Sequence, residues 1–229
     1  MATKVKQTIK GLVQKFKILG AQPKHYALFQ KFKEFTMIPK NTYIANLELA
    51  YRFSSVNGAI VECGTWKGGM VAGIANLLGT GRTIYLFDSF EGLPTAKEID
   101  GEHALNWQAN KTSPDYFNNC KASEQEARNA MELAGVQNPR IEKGWFQDTL
   151  PRAKFPEGIA ILRLDGDWYD STMEVLNHLF TSVNRGGLII IDDYYAWDGC
   201  AKAVHDFLSK NQCVERINSY KGVCFIVKA

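Results

Sequence analysis

Hydrophobic residues recur with two different spacings along the chain, and the spacing changes near residue 58. In residues 25–57 apolar and aromatic side chains recur every three or four positions, which predicts two helices. The stretch 36–39 ends in proline and separates them. Beyond this region, short continuous apolar runs, which are typical of buried parallel strands, alternate with helical patterns. We therefore expect an N-terminal helical extension over residues 1–57 and an α/β domain over residues 58–229.

The apolar runs predict a mostly parallel, doubly wound sheet of seven strands with helices on its faces. A short loop between the last two runs predicts a hairpin, which makes the last strand antiparallel. The segment at about 89–122 is polar and too long for an ordinary connection, which favours an active-site lid of irregular structure. The predicted strands cover 59–61, 83–87, 139–143, 159–164, 187–191, 214–217 and 223–227, and the predicted helices of this domain cover 70–78, 123–134, 171–180 and 201–209.

The first strand of the α/β domain runs into a glycine-rich loop, Glu62-Cys63-Gly64-Thr65-Trp66-Lys67-Gly68-Gly69. Gly64 and Gly68 allow the backbone to approach a ligand closely, and the helix that follows offers free N–H groups. The loop lacks the GxGxxG pattern, which weakens the case for a dinucleotide pyrophosphate. A plain tight turn is the alternative.

Polar residues that follow the next two strands would face the same ligand. Asp88 ends the second strand, 26 residues after Glu62, where a carboxylate can accept the hydroxyls of a ribose. Gln147 and Asp148 follow the third strand and would reach an adenine edge. The alternatives are a turn-capping acid at Asp88 and a polar surface loop at the other two positions. Together with the glycine loop, Asp88 indicates a ligand that contains adenosine.

Carboxylates also end the fourth and fifth strands. Asp165 follows one strand and Asp192-Asp193 follow the next, so three acids converge within roughly 5 Å if the strands are neighbours. Like charges at that distance require a bound cation or shared protons. Hard oxygen ligands on rigid strand ends suit Mg²⁺, although Asp192 and Asp193 are also typical of turns and helix caps. Asp167 lies in the same stretch, and Asp170 is placed to cap the next helix.

Charge is distributed unevenly along the chain. The 229 residues carry a net charge of +3, but residues 1–33 hold eight lysines and no acid, and the other 19 basic and 24 acidic residues amount to −5. A basic leader on an acidic body does not resemble a nucleic-acid binder. No apolar run has the roughly 18 residues that a membrane span needs. Apolar residues at helical spacing in the leader predict a helix that packs on its own domain or on a second subunit, with a membrane-surface helix as the alternative.

The five cysteines are odd in number and lack CxxC spacing, which favours free thiols in a reducing compartment over disulfides or zinc. Cys63 has no histidine near it in the sequence, so we expect it to be a packing residue rather than a nucleophile. Because the start of the chain has no apolar secretory segment, we expect a cytoplasmic protein.

Four motifs of the chain together carry a family resemblance. They are the glycine loop, Phe87-Asp88-Ser89-Phe90-Glu91-Gly92-Leu93-Pro94, Leu164-Asp165-Gly166-Asp167-Trp168-Tyr169-Asp170-Ser171-Thr172 and Ile191-Asp192-Asp193-Tyr194. In this order, over roughly residues 36–227, the chain resembles the macrocin O-methyltransferase (TylF/MycF-type) family. The resemblance implies a Rossmann-like class I methyltransferase fold, S-adenosyl-L-methionine and Mg²⁺ as cofactors, and methylation of a sugar hydroxyl of a natural product.

The resemblance also implies roles for individual residues. Glu62, Gly64, Thr65 and Trp66, with Gly68 in the same loop, would line the methionine and ribose side of the cofactor, Asp88 and Ser89 would hold the ribose, Gln147 and Asp148 would flank the adenine, and Asp165, Asp192 and Asp193 would hold the metal. The similar catechol-type methyltransferases have a lysine three residues after the first metal acid, where this chain has Trp168. The general base must therefore be another residue, and acceptor choice would lie in the lid.

We therefore expect a Mg²⁺-dependent O-methyltransferase that acts on a hydroxyl of a sugar-containing, phenolic or other small polar molecule. Asp165 is the first candidate for the general base and Asp167 the second. One alternative is a nicotinamide-dependent Rossmann oxidoreductase, but the chain lacks its GxGxxG and Tyr-x-x-x-Lys patterns. The other is a non-catalytic protein that binds an adenosyl ligand, which gives no reason for three converging acids. A homo-oligomer formed through the N-terminal helices is a further expectation.

Overall fold

The computed structural model describes residues 22–229, and the helix predicted in the basic leader lies outside the described residues. No helix in the described range is both long and apolar enough to span a bilayer. The regular α-helices are α1 (Pro23–Phe32), α2 (Lys40–Arg52), α3 (Gly69–Leu78), α4 (Glu102–Ala109), α5 (Glu124–Ala134), α6 (Phe146–Thr149), α7 (Tyr169–Leu179) and α8 (Asp198–Lys210). One further turn, Phe117–Cys120, consists of residues with positive φ. The strands are β1 (Ala59–Cys63), β2 (Ile84–Asp88), β3 (Arg140–Lys143), β4 (Ile159–Leu164), β5 (Val183–Ile191), β6 (Ile217–Tyr220) and β7 (Val223–Val227).

The strands of the described chain form one seven-stranded sheet in the order β3-β2-β1-β4-β5-β7-β6. The first five pair in parallel, and β7 runs antiparallel to both of its neighbours. This arrangement confirms the predicted mostly parallel α/β sheet with an antiparallel last strand. Strand order reverses between β1 and β4, and ligands of open α/β sheets bind at the carboxyl ends of the strands beside such a switch point.

Each face of the sheet carries its own hydrophobic layer, because successive residues of a strand point to opposite faces. Ile60 packs on the face covered by α1, α2, α3 and α5, whereas Val61 packs on the face covered by α7 and α8. The N-terminal helices belong to the first layer, where Phe32 is fully buried. The hydroxyl of Tyr43 donates a hydrogen bond to the Gly69 carbonyl at 2.9 Å. Helices α1 and α2 therefore share a core with the α/β domain.

The last strand pair begins later than predicted. β6 covers Ile217–Tyr220 rather than 214–217, because the hairpin turns on Lys221 and Gly222 alone. Both residues have positive φ, +50° and +82°, which is the backbone of the two-residue turns that match hairpin twist. The longer loop predicted at 218–222 was therefore wrong.

Two other elements also differ from their predictions. β5 begins at Val183 rather than 187, and its register against β4 shifts before Leu188, so that extra residues interrupt the regular pairing. The lid is not wholly irregular, because it contains α4. That helix buries one residue, Ala104, so its apolar stripe is too narrow to be recognised in the sequence.

Candidate active site at the carboxyl ends of the strands

A cavity of about 550 Å³ opens at the carboxyl ends of the parallel strands. This volume is in the range of small-molecule sites. Its walls come from the glycine loop, the lid, the ends of β2, β4 and β5, and the connection between α1 and α2. This connection contributes Met37, Ile38 and Pro39, and the first turn of α2 contributes Thr42, none of which the sequence suggested.

Gly64 brings the ends of β1 and β4 into contact. It has a φ of +84°, and a Cβ at this position would lie 1.7 Å from the carbonyl oxygen of Asp165. The Gly64 N–H donates to the Phe87 carbonyl at 2.8 Å, and the Asp165 N–H donates to the Cys63 carbonyl at 2.9 Å. The loop is thus fixed between its two neighbouring strands by backbone contacts that leave no room for a side chain.

Asp88 holds the glycine loop as well as lining the cavity. Its Oδ2 accepts the N–H groups of Thr65 at 2.7 Å and Trp66 at 2.8 Å. Its Oδ1 accepts the N–H of Phe90 at 2.7 Å. Burial raises the pKa of this carboxyl, against the lowering effect of those three donors. A carboxylate has about four acceptor sites, two on each oxygen. Oδ2 already accepts two N–H groups, and Oδ1, which accepts one, keeps a site that is compatible with the predicted ribose contact, which stays a prediction.

The predicted cofactor residues fall into two groups in the structure. Those that line the cavity are Gly64, Trp66, Asp88, Ser89 and Gln147. Those that do not are Glu62, Thr65, Gly68 and Asp148. Asp148 is exposed, whereas Glu62 is 1% exposed and turned into the protein. Their predicted contacts with a cofactor are not tested by this structure.

The acids after β4 and β5 meet in the same cavity. Leu164 pairs with Ile191 at the ends of the two strands, so the residues that follow are neighbours. Carboxylate oxygens of Asp165, Asp167 and Asp193 all lie within 4.8 Å of one another. Burial and then the charge of Asp165 raise the pKa of Asp167 to about 8, and burial and then Asp167 raise the pKa of Asp193 well above its usual range.

Arg163 supplies an internal cation that was not among the residues predicted for the site. This side chain, 2% exposed, donates from Nη1 to Glu62 at 2.8 Å and to Asp165 at 2.6 Å. Its Nη2 lies 2.5 Å from Asp192 Oδ1, an ion pair whose angles do not meet those of a hydrogen bond. Burial alone would lower the pKa of this guanidinium, but the three carboxylates raise it well above its ordinary value. An arginine inside an otherwise apolar buried strand was the available signal.

A family model described as Macrocin-O-methyltransferase (TylF) matches residues 31–228. The chain belongs to this family. Mycinamicin III 3''-O-methyltransferase of Micromonospora griseorubida is 32% identical over 168 residues, which cover 71% of this chain and 65% of that protein. A tetracenomycin-type relative of Streptomyces olivaceus, 8-demethyl-8-(2,3-dimethoxy-alpha-L-rhamnosyl)-tetracenomycin-C 4'-O-methyltransferase, is 34% identical over 178 residues, or 73% of this chain and 64% of that protein.

The chain therefore spans less than two thirds of the length of these curated relatives. Among solved structures, the O-methyltransferase NovP superposes with a TM-score of 0.71 at 28% identity, over 85% of this chain and 82% of that one. The family match and this superposition confirm the predicted family and fold.

In this TylF family member, the oxygen donors fit a hard divalent cation. Mg²⁺ prefers carboxylate oxygens and keeps several waters or substrate oxygens as further ligands. Within residues 22–229 the three carboxylates near enough to share one ion are those of Asp165, Asp167 and Asp193. Asp192, the third predicted ligand, has one oxygen paired with Arg163. Asp192 still lines the cavity. The metal assignment remains a prediction, with Asp167 as an additional candidate ligand.

The lid of this TylF family member is held down by tryptophan side chains. Trp168, 2% exposed, packs edge to face against Trp107 of α4 and Trp197, with ring centroids 6.1 and 5.1 Å away. Its indole N–H donates to the Pro94 carbonyl at 2.9 Å. The residue in the place of a catechol-type lysine is thus the anchor of the lid.

The tryptophan cluster also touches the acids. Trp197 donates its indole N–H to Asp167 Oδ1 at 2.9 Å. The backbone N–H of Asp167, whose φ is +57°, donates to Asp193 Oδ2 at 3.0 Å. One side chain therefore connects the lid to the group of carboxylates at the ends of β4 and β5. This contact could not be predicted from the sequence, because the lid and the acids are far apart along the chain.

Proposed function

We propose that this chain is an S-adenosyl-L-methionine- and Mg²⁺-dependent O-methyltransferase that acts on a hydroxyl of a sugar moiety or another small polar natural product. One observation carries the proposal: the cavity joins a glycine loop and Asp88 on one side to an oxygen-rich group of acids on the other. Membership of the TylF family supports the same reaction. The adenosyl cofactor would lie beside Gly64 and Asp88, and the acceptor would lie between the acids and the lid.

Methyl transfer would form a bond between the acceptor oxygen and the methyl carbon and break the bond from that carbon to the sulfonium sulfur. S-adenosylhomocysteine leaves, and the hydroxyl proton passes to a base. When bound, Mg²⁺ would supply Lewis acidity that lowers the pKa of the acceptor hydroxyl. Asp165 is the first candidate for the base, because it lines the cavity and can accept a hydrogen bond while it binds the metal. Asp167 is the second. Holding the hydroxyl beside the methyl group supplies much of the remaining rate enhancement.

The charge of the cavity narrows the acceptor class. Eight carboxylate side chains line it, and none of the described lining residues is a lysine, arginine or histidine. Aromatic side chains, including Trp107, Phe117 and Trp197, form much of the remaining wall. A phosphate group would find no counter-charge among these residues. The acceptor is therefore a neutral or cationic hydroxylated molecule with an apolar body rather than a nucleotide-activated sugar.

The reaction and its metal are tested together. Hydroxylated glycosides and phenols are incubated with labelled S-adenosyl-L-methionine before and after chelation, with Asp193→Asn and with the surface control Asp206→Asn. We expect transfer to cease on chelation, to return with Mg²⁺, and to fall at least tenfold in Asp193→Asn, as is usual when a metal site is perturbed. The control, which pairs with Lys202 on α8, should keep full activity. Full transfer after chelation would refute the metal requirement.

The cofactor and acceptor class need separate measurements. Titration calorimetry with S-adenosylhomocysteine and with NADPH distinguishes a methyltransferase from a nicotinamide-dependent oxidoreductase, since we expect heat from the first ligand alone. For the acceptor, a neutral glycoside, its amino derivative and its phosphorylated derivative are compared at equal concentration. We expect the first two to be methylated and the third to react at least tenfold more slowly. Equal rates for all three would contradict the electrostatic argument.

A further inference from the structure

Arg163 ties together parts of the site that come from different elements. Glu62 is on β1, Asp165 follows β4 and Asp192 follows β5, and all three lie against the same guanidinium. The Nε of Arg163 donates to the Asn46 side chain of α2 at 3.4 Å, and Asn46 does not line the cavity. No other lysine or arginine of the described chain forms an ion pair with these three carboxylates.

The contacts with Arg163 occupy one carboxylate oxygen of Asp165 and one of Asp192, and the other oxygen of each remains available to the cavity. Asp165 uses Oδ2 toward Arg163, and its side chain is still 26% exposed. Asp192 uses Oδ1, which is itself buried, and the side chain is 17% exposed. Glu62, by contrast, is only 1% exposed and binds the guanidinium from inside the protein. The arginine thus lies behind the two acids, and the cavity lies in front of them.

We propose that Arg163 is a positioning residue, which holds the carboxylates of Asp165 and Asp192 in the orientation that binds Mg²⁺ on the cavity side. The inference deepens the proposed function and rests on it. A planar guanidinium can hold several carboxylates in fixed directions, whereas a lysine ammonium is a single point charge that cannot. Partners that orient the ligands of a metal in this way typically alter its affinity by 10- to 100-fold when they are removed.

A role in stability alone is the competing explanation. Buried ion pairs are often no more stabilising than apolar residues of the same volume, so stability gives little reason for an arginine in the middle of an apolar strand. The two explanations differ in what they predict for Mg²⁺ binding. A positioning residue changes the affinity for the ion in a protein that is still folded, whereas a purely structural residue changes the melting temperature and leaves the affinity unaltered.

The test compares Arg163→Lys with wild type and with Arg82→Lys. Arg82 is a matched control, because its guanidinium holds the backbone carbonyls of Ser54, Val56 and Gly58 and does not line the cavity. Mg²⁺ binding is measured by calorimetry on protein saturated with S-adenosylhomocysteine, and melting temperature is measured in parallel. We expect Arg163→Lys to bind Mg²⁺ 10- to 100-fold more weakly and Arg82→Lys to bind it as wild type does. Wild-type affinity in a folded Arg163→Lys protein would overturn the proposal.

A failure of the proposed function gives a different result. If wild type binds S-adenosylhomocysteine but no Mg²⁺, the metal part of that function fails while Arg163 can still be judged. Crystal structures of wild type and Arg163→Lys then decide. Displaced carboxylates of Asp165 and Asp192 in the variant would support positioning, and unchanged carboxylates would overturn it. Arg163→Met would remove the charge as well as the geometry of the guanidinium. Arg163→Lys keeps a buried cation and changes only the geometry, so it is the variant that decides.

Discussion

The two walls of the cavity are held in place in different ways. The strand-end wall depends on backbone contacts, such as Gly64 N–H to Phe87 and Asp165 N–H to Cys63, and on the buried Arg163. The lid wall depends on side chains: the packing of Trp168 and its hydrogen bond to Pro94. Backbone contacts between adjacent strands are rigid, whereas a few side-chain contacts allow a lid to open and close. The strand-end wall is therefore suited to fix the reacting groups, and the lid wall to admit an acceptor.

The largest effect is expected on the strand-end wall, from Gly64→Ala. The added Cβ would lie 1.7 Å from the backbone oxygen of Asp165, and neither strand end can move without breaking the sheet. We expect the free energy of unfolding to fall by more than about 4 kcal/mol, beyond the range of ordinary substitutions. Chemical denaturation measures it.

Gly79→Ala is the matched control for this clash. Gly79 has a similar φ of +93°, but an added Cβ would meet no atom within 4 Å. Its ψ of 146° places it close to the positive-φ extended region that is adopted almost only by glycine. The variant should therefore show the cost of backbone strain without a clash, about 1–3 kcal/mol. Equal losses in the two variants would mean that the close approach at Gly64 is unimportant.

The next largest effect is expected on the lid wall, from Trp168→Ala. Removal of a buried tryptophan typically costs about 3–5 kcal/mol, and here the loss falls on contacts that hold residues 89–122 against the body. We expect proteases to cut the lid much faster while the sheet remains protected. Hydrogen exchange of α4 should report the same opening.

Phe180→Ala separates opening of the lid from general loss of stability. Phe180 is 5% exposed and packs against Phe207, with ring centroids 5.0 Å apart, in a hydrophobic layer that contains no lid residue. This variant should lower global stability by a similar amount without faster cleavage in the lid. Rapid lid cleavage in both variants would contradict the anchoring role of Trp168.

The same contrast explains which features could be predicted from the sequence. The strands were recognisable because apolar runs indicate burial locally. Asp88, Asp165 and the pair Asp192-Asp193 were recognisable because they directly follow such runs. Parallel pairing then brought the acids after β4 and β5 together, since the carboxyl ends of paired strands share one edge.

Features that depend on contacts distant in sequence were not predicted. Arg163 was read as part of a strand, because its partner Glu62 lies 101 positions away. The tryptophan cluster forms because Trp107 and Trp197 both pack against Trp168, and no local sequence pattern predicts these contacts. Helix α4 was missed for the same reason, because its position depends on those contacts rather than on an apolar stripe of its own.

A smaller effect, on Mg²⁺ affinity, is expected from a substitution of Trp197, which connects the two walls. Trp197→Phe keeps an aromatic ring in the cluster but removes the N–H that donates to Asp167 at 2.9 Å. Hydrogen bonds to charged groups contribute about 1.5–3 kcal/mol, and this one lowers the pKa of Asp167. Its loss raises that pKa further and keeps the carboxyl protonated, so we expect Mg²⁺ to bind about tenfold more weakly at pH 7.

Trp107→Phe is the control for this variant. It lies in the same cluster, but its indole N–H donates to the Asp115 carbonyl of the lid rather than to an acid of the strand-end wall. Calorimetric titration should give wild-type Mg²⁺ affinity for it. Similar weakening in both variants would show that ring packing, rather than the bond to Asp167, carries the coupling between the walls.

The smallest effect is a pH dependence of the strand-end wall itself. Burial raises the pKa of Asp167 to about 8 and that of Asp193 well above its usual range, so the folded protein holds these protons more tightly than the unfolded chain does. Their contribution to stability is complete below the unfolded pKa of about 4 and is lost as pH rises through about 8. Between pH 7 and 8, above the range in which His25 titrates in the unfolded chain, the metal-free protein should melt at progressively lower temperature. We expect a fall of about 3–5 °C for each unit of pH.

Two comparisons test the origin of this dependence. Asp167→Asn should melt with a shallower slope between pH 7 and 8, because one of the titrating groups is absent. Added Mg²⁺ should stabilise wild type more at pH 8 than at pH 7, since carboxylates must lose their protons to bind a metal. A melting temperature that rises over this range in metal-free wild type would contradict the raised pKa values. A rise of equal size with Mg²⁺ at both pH values would place the titrating carboxyls away from the ion.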